Sequence, residues 1–185
     1  TGKKKKIFKR GVTIGTKTDY SYPLLSWHPT GKLLAFIIED KGMPWLYRYN
    51  IEDKGFTKQI IYNVQKVTDF SFSDNGQFFV MSAVQKGQSD LFVYNIAASS
   101  FNQITDDIYS ELNPAFINNS KQIVFSSNRV NDTIGKEAEE IVGVPDNFDL
   151  FVYDYANKNP ILKRITNTPV ADEIMPGSYG YNTIS

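Results

Sequence analysis

Short extended segments dominate the pattern of apolar and polar positions along the chain. Residues 33–38 and 78–81 are apolar at every position, not at alternate ones. A strand with this pattern is one that other elements cover on both faces. The intervening segments are rich in Gly, Asn, Asp, Pro and Lys, which is typical of turns. The pattern therefore predicts an all-β protein built from short, doubly covered strands.

Two markers repeat along the chain with the same period. The aromatic residues Trp27, Phe72 and Phe116, each next to a short turn, are 45 and then 44 residues apart. The second marker reads LYRYN at 46–50, LFVYN at 91–95 and LFVYD at 150–154, so its spacings are 45 and 59. The longer spacing indicates an insertion of about 15 residues in the third unit, at 130–148.

Each repeat unit contains four extended runs bounded by turn residues. The runs are 22–27, 32–38, 45–50 and 57–62; then 67–72, 77–84, 90–95 and 101–104; then 112–117, 122–127, 149–154 and 161–165. A four-stranded sheet that repeats every 40-odd residues and is covered by its neighbours is a β-propeller blade. A β-sandwich is the structural alternative, but it does not explain the phase of the repeat. Within the insertion, residues 134–142 are expected to form a turn or two of surface helix or to stay disordered.

The markers resemble the repeat of TolB-like propellers, which runs aromatic-Ser-Pro-Asp-Gly-Lys and later Asp-Leu-Tyr-Val-Tyr-Asp. Here FSDNGQ at 72–77, DLFVYN at 90–95 and DLFVYD at 149–154 carry the resemblance, and SSNR at 126–129 is a typical ending of the second strand. The resemblance covers about residues 20–168. The third unit has Ser120 where the family has Gly, which leaves its turn type open.

The resemblance implies a bacterial periplasmic or outer-membrane-associated setting in which the propeller holds a partner protein. The second setting that it implies is the gating propeller of a peptidase. The predicted division is the end of a preceding blade or an N-terminal strand at 1–19, blades at 20–64, 65–107 and 108–168, and the start of a further blade at 169–185. Because a ring needs at least four blades, we expect these blades to belong to a six- to eight-bladed ring or to sit against other chains. An autonomous three-blade domain is the alternative.

Composition narrows the function classes. The chain has 20 Lys and Arg residues against 20 Asp and Glu, which argues against a nucleic-acid partner. It has no cysteine, which excludes disulfides and thiolate metal sites. No apolar run is long enough to cross a bilayer, and the basic segment 1–10 is not followed by the apolar region of a signal peptide. We interpret that segment as a basic edge strand that discourages wrong pairing, and a contact with phosphate or an acidic surface is the alternative.

The sequence offers no complete active site. His28 is the only histidine, and we interpret it as a turn residue and not as part of a triad or metal site. The nucleophile elbow, the phosphate-binding loop, the dinucleotide fingerprint, the zinc motif and the calcium loop are all absent from the sequence. We therefore predict no catalytic residue, no metal ligand and no cofactor.

Candidate contact residues for a protein partner are few. Trp45 stands where the other units have Asp90 and Asp149, so it is either an exposed hot spot or packed against its neighbours. The remaining candidates lie in or beside the insertion: Arg129, Glu137, Glu139, Glu140 and Asp146. We interpret the carboxylates of this group first as a solvated charge run, and a contact with a cation or a basic partner is the alternative.

Three functions remain open. The first is a non-enzymatic protein-interaction scaffold in a bacterial cell-envelope assembly, whose insertion and open faces contact protein partners. The second is the non-catalytic gating propeller of a peptidase whose catalytic domain lies elsewhere. The third is a glycan-binding or sugar-cleaving propeller, although the paired carboxylates of such an enzyme are not assignable here.

Overall fold

The described residues form three antiparallel sheets of four strands each. The computed structural model describes residues 6–8, 21–134, 145–177 and 184. The strands are β1 (Leu24–Trp27), β2 (Leu33–Asp40), β3 (Met43–Asn50), β4 (Phe56–Ile60), β5 (Lys66–Phe72), β6 (Phe78–Gln85), β7 (Gln88–Asn95), β8 (Ser100–Gln103), β9 (Glu111–Ile117), β10 (Gln122–Ser127), β11 (Asp149–Tyr153) and β12 (Leu162–Arg164). Each sheet follows chain order, so β1–β4, β5–β8 and β9–β12 are blades 1, 2 and 3.

The predicted all-β propeller architecture is confirmed. Residue pairing is equivalent between blades, since Ala35 pairs with Arg48 in blade 1 just as Val80 pairs with Val93 in blade 2. The strand ends differ from the predicted runs by a few residues. Strand β3 starts at Met43, two residues early, because a tight hairpin at Lys41 and Gly42 lets it pair with the end of β2.

Stacked blades bury the core between them. At each interface, the aliphatic face of one blade packs against the aromatic-rich face of the next. The first interface contains Ala35, Ile37 and Leu46 from blade 1 with Phe70, Phe72, Phe79, Met81, Phe92 and Tyr94 from blade 2. The second contains Val80, Leu91 and Val93 from blade 2 with Phe116, Ile123, Phe125, Phe151 and Leu162 from blade 3. Burying each large side chain stabilises the stack by about 1.5–3 kcal/mol.

The turns between the first two strands of successive blades touch one another. His28 Nδ1 accepts from the Thr30 backbone N–H, so its Nε2 donates to the Gly76 carbonyl of the next blade. The backbone N–H of Asp74 in turn donates to Ser120 Oγ at 2.7 Å. The structure therefore agrees with our interpretation of His28 as a turn residue.

The third unit forms its turn without the expected glycine. Asn118, Asn119 and Ser120 all adopt positive φ, at 52°, 55° and 60°. Asparagine tolerates this left-handed region better than most residues. The turn is thus built from consecutive left-handed residues, which leaves Ser120 Oγ positioned to accept from the neighbouring blade.

The two outer faces of the stack carry different residues. On blade 1, Phe36, Ile38 and Tyr49 pack with Ile7 and Phe8 from the N-terminal segment. On blade 3, a smaller cluster of Ile117, Val124 and Val152 packs with Ile184. Residues 171–177, part of the segment 169–185 that was predicted to start a further blade, form no strand, and none of the twelve strands of the described residues pairs with them.

Candidate functional site

A buried ionic cluster joins the loop after blade 2 to the inner strands of blade 3. Arg129 Nη2 donates to Glu111 Oε1 at 2.6 Å and to Asp107 Oδ2 at 3.2 Å. Its Nε donates to Ser127 Oγ at 3.2 Å, and its Nη1 donates to the Thr133 carbonyl at 2.6 Å. Arg129 is only 1% exposed, so it is not available to a partner. The prediction that it is a contact residue is therefore wrong, because its charge is paired with carboxylates inside the fold.

The cluster holds more carboxylates than cations. The Thr105 hydroxyl lies 2.9 Å from Glu111 Oε2 and 3.3 Å from Asp90 Oδ1, which extends the network into blade 2. Burial is the main cause that raises the pKa of Glu111 to about 7, and the charge of Asp107 adds to it. The charge and hydrogen bond of Arg129 act in the opposite direction but do not offset burial. Burial also raises the pKa of Asp90 to about 6. The enclosed guanidinium and carboxylates have no access to a substrate, so their role is structural.

Asp90 is one member of a polar arrangement that repeats between blades. It begins the buried part of β7 and accepts from Gln103 Nε2 at 3.3 Å. Thr105 Oγ1, next to Asp90, accepts from the Leu91 backbone N–H at 2.9 Å. The carboxylate and the threonine together tie the start of the third strand to the end of the fourth.

Blade 3 repeats this arrangement and blade 1 replaces it. Asp149 accepts from the Arg164 guanidinium and from Thr166 Oγ1, the counterparts of Gln103 and Thr105. In blade 1 the equivalent position is Trp45, and Lys58 Nζ lies 4.9 Å from the centre of its indole ring. A cation–π contact thus stands where the other blades have a carboxylate. Trp45 is partly buried and packs against the outer-face cluster of blade 1, and a contact between Trp45 and a partner stays a prediction.

The insertion is anchored to blade 3 at both ends. Where it leaves the blade, the Arg164 backbone N–H donates to Asp132 Oδ1 at 3.2 Å. Where it returns, Asn128 Nδ2 donates to the Pro145 carbonyl at 3.3 Å, and Asn147 Nδ2 donates to the Thr168 carbonyl at 3.2 Å. These bonds fix the base of the insertion on the blade.

The returning end of the insertion lines a surface cleft. The cleft has a volume of about 360 Å³ and lies between residues 145–147 and 169–172. Asp146 is exposed at its edge, and Asp172 on the opposite side accepts from the Phe148 backbone N–H at 3.0 Å. Glu137, Glu139 and Glu140, the other predicted contact residues, lie outside the described residues.

Other kinds of site find no support in the described part of the chain. Residues 6–8, 21–134, 145–177 and 184 contain no group of three acidic or histidine side chains placed to hold a metal ion. Over the same ranges, no helix has the length and apolar character needed to span a membrane. A cavity of about 430 Å³ lies on the outer face of blade 1, lined mostly by apolar side chains, including Phe8, Leu25 and Phe36.

Solved structures similar to this chain are propeller proteins. TolB from Acinetobacter baumannii matches 78% of the chain with a TM-score of 0.56 and 17% identity, over 32% of its own length. Puromycin hydrolase matches 86% of the chain with a TM-score of 0.59 and 10% identity, over 24% of its length. The tricorn protease matches 71% of the chain with a TM-score of 0.51 and 18% identity, over 13% of its length.

The comparisons extend only to the fold. No protein-family model matches the chain, and no curated protein does. The chain spans about a third or less of the length of these solved chains. At identities below 20%, shared blade geometry is what is common to them and this chain. The three blades therefore have the fold of TolB-like β-propellers.

Proposed function

We propose that the chain is a non-enzymatic protein-interaction module of a bacterial cell-envelope assembly, periplasmic or associated with the outer membrane. The observation that carries the proposal is the anchored insertion. Hydrogen bonds at Asp132, Thr133, Pro145 and Asn147 hold its base on blade 3. Loops presented by a rigid scaffold are where propellers carry binding.

The charges at the insertion suggest the kind of partner surface that fits. Asp146 and Asp172 are exposed on the two sides of the cleft, beside the exposed Val170. The sequence of the insertion also contains Glu137, Glu139 and Glu140. A partner with a basic rim and an apolar centre is complementary to this combination. The buried carboxylates of the Arg129 cluster take no part, since they are enclosed.

The test replaces residues 135–144 by a Gly/Ser segment of the same length. Because the anchoring residues are retained, the blades are expected to fold as before. The matched control places Gly/Ser residues at 157–159, an exposed turn of the same blade. Envelope proteins captured by the unmodified protein are identified, purified and measured for affinity against both variants.

We expect the insertion variant to bind at least about tenfold more weakly than the control, as when a hot-spot contact is lost. Equal affinity of both variants for every captured protein would refute the role of the insertion. Circular dichroism of both variants must show the same strand content, which separates lost binding from lost folding.

A gating propeller of a peptidase is the second candidate. It is supported by the similarity of the blades to those of the tricorn protease, with a TM-score of 0.51, and of puromycin hydrolase, with a TM-score of 0.59. The coding sequence on either side of these residues discriminates between the two. A nucleophile elbow or a His-Glu-x-x-His stretch in the same polypeptide favours the peptidase, and peptidase activity of that polypeptide would confirm it.

A further inference from the structure

One charged residue interrupts the apolar interface between blades 1 and 2. Arg48 occupies the repeat position at which blades 2 and 3 have Val93 and Val152. Both valines are buried, at 3% and 9% exposure. The backbone pairing is equivalent, since Arg48 faces Ala35 across the sheet as Val93 faces Val80.

The Arg48 guanidinium has no acidic partner among the described residues. Its Nη2 donates to Gln59 Oε1 at 3.0 Å, and its Nε is buried without a hydrogen-bond acceptor. Gln59 is held in place, because its Nε2 donates to Tyr94 Oη at 3.0 Å and approaches the Ile96 carbonyl at 3.4 Å. None of the ion pairs formed in the described ranges includes Arg48, whereas Arg129 and Arg164 both bind carboxylates.

Arg48 lines a groove at the rim between the two blades. The groove has a volume of about 410 Å³, and its other walls are residues 76–78 and 95–97. No acidic side chain belongs to these walls. The groove therefore combines a positive charge with neutral surroundings and enough space for a small planar group.

Placing an uncompensated charge in such an interface is unfavourable. A guanidinium that loses water without gaining a counter-ion carries a desolvation penalty that valine at the same position avoids. Burial accordingly lowers the pKa of Arg48, because it disfavours the charged form of the guanidinium. The neutral Gln59 oxygen accepts from only one of five N–H groups.

We propose that this groove is a binding site for a carboxylate, which Arg48 grips with its paired N–H groups. The planar guanidinium matches a carboxylate in a two-point geometry that lysine does not offer. The carboxylate supplies the missing counter-ion and an acceptor for N–H groups that lack one. The site does not involve the insertion, so the outcome of its test is independent of the outcome for the proposed function.

The test observes the arginine Nε–Hε signals of the full chain by nuclear magnetic resonance. The chain contains four arginines, Arg10, Arg48, Arg129 and Arg164, so each signal is assignable by substitution. Glutarate is titrated at constant ionic strength, with sodium chloride and inorganic phosphate as comparison probes. We expect a saturable shift of the Arg48 signal with glutarate, while the Arg129 signal stays in place because its guanidinium is already occupied.

Two variants make the result specific. In R48V the residue matches the other blades, so the variant is expected to fold. It should bind glutarate at least about tenfold more weakly, because tenfold is the effect of losing even one of the two charge-assisted hydrogen bonds. In R48K the positive charge remains, but the paired N–H groups of the guanidinium are lost, so weaker binding of glutarate is expected in this variant too. Glutarate should also raise the unfolding temperature of the natural chain more than that of R48V.

Three outcomes would overturn the assignment: no saturable shift of Arg48, equal shifts with sodium chloride, or tighter binding of phosphate than of glutarate. Unchanged glutarate binding in R48V would overturn it as well. A capped peptide with one Glu, compared with its Gln counterpart, distinguishes the sources of the carboxylate. Tighter binding of the Glu peptide than of glutarate identifies a protein segment, and weaker binding identifies a small free acid.

Discussion

The substitution E111Q tests whether a proton is held inside the ionic cluster. Glu111 is fully buried and accepts from Arg129, while Asp107 competes for the same guanidinium. Glutamine keeps the shape of the protonated acid. Its oxygen accepts from Arg129, and its amide donates to Thr105 Oγ1, which still donates to Asp90. The variant therefore mimics the protonated cluster at every pH.

The pKa of Glu111 sets the size of the effect. This pKa rises from an ordinary 4.5 to about 7 in the folded chain, chiefly because of burial. A raised folded-state pKa means that the folded chain binds this proton more tightly than the unfolded chain does. The resulting stability is fully present below pH 4.5 and is lost as the pH rises through about 7. At ~1.4 kcal/mol per pH unit, the loss is on the order of 3 kcal/mol.

Urea unfolding at pH 5, 6, 7 and 8, followed by far-ultraviolet circular dichroism, measures the effect. The difference in the free energy of unfolding between E111Q and the natural chain removes the contributions of all other titrating groups. We expect that difference to favour E111Q increasingly from pH 5 to pH 8, by up to about 3 kcal/mol. A difference that does not change with pH, or one that favours the natural chain at pH 8, would refute a protonated Glu111.

Two further predictions concern individual contacts. G76A should destabilise the chain by about 1–3 kcal/mol in thermal unfolding, because Gly76 has a positive φ of 67° and an added Cβ overlaps the His28 ring. The control G87A, at a φ of 88° with open space around the residue, should destabilise the chain less. Equal losses of stability in the two variants would contradict the steric argument. D149N should cost about 2–3 kcal/mol at pH 7, because Arg164 loses its counter-ion. Burial alone would raise the pKa of Asp149, but hydrogen bonds and the Arg164 charge together lower it. The stability that the ionised Asp149 contributes should therefore be present at neutral pH and be lost in acid. A stability loss in D149N that stays unchanged at low pH would contradict this role of the Asp149 charge.

Much of the fold was predictable because the sequence repeats once per blade. The period of Trp27, Phe72 and Phe116 located each blade, and fully apolar runs such as 33–38 showed that both faces of a strand are covered. Strand ends were less predictable, since they depend on hairpins such as that at Lys41 and Gly42. The turn type at Ser120 was not predictable for the same reason, because consecutive left-handed residues are a property of the folded backbone.

The candidate sites were predictable only where the repeat itself is broken. Trp45 was found because it departs from Asp90 and Asp149, and the same comparison marks Arg48 against Val93. The comparison of repeats contained that second signal, which was missed. Asp107 and Glu111 carried no such signal, because nothing in their local sequence indicates that Arg129 closes over them.

The order of apolar, polar and turn residues alone determined the strands, their number per unit and their stacking as blades, because these depend on local periodicity and on burial of both strand faces. The partners of charged groups depended on the tertiary structure, because ion pairs form between residues that are distant in sequence. Arg129 thus lies among carboxylates inside the fold, while Arg48 faces a groove without one. The same residue type is structural in one blade and open to a ligand in another, and only the packing of the blades distinguishes the two.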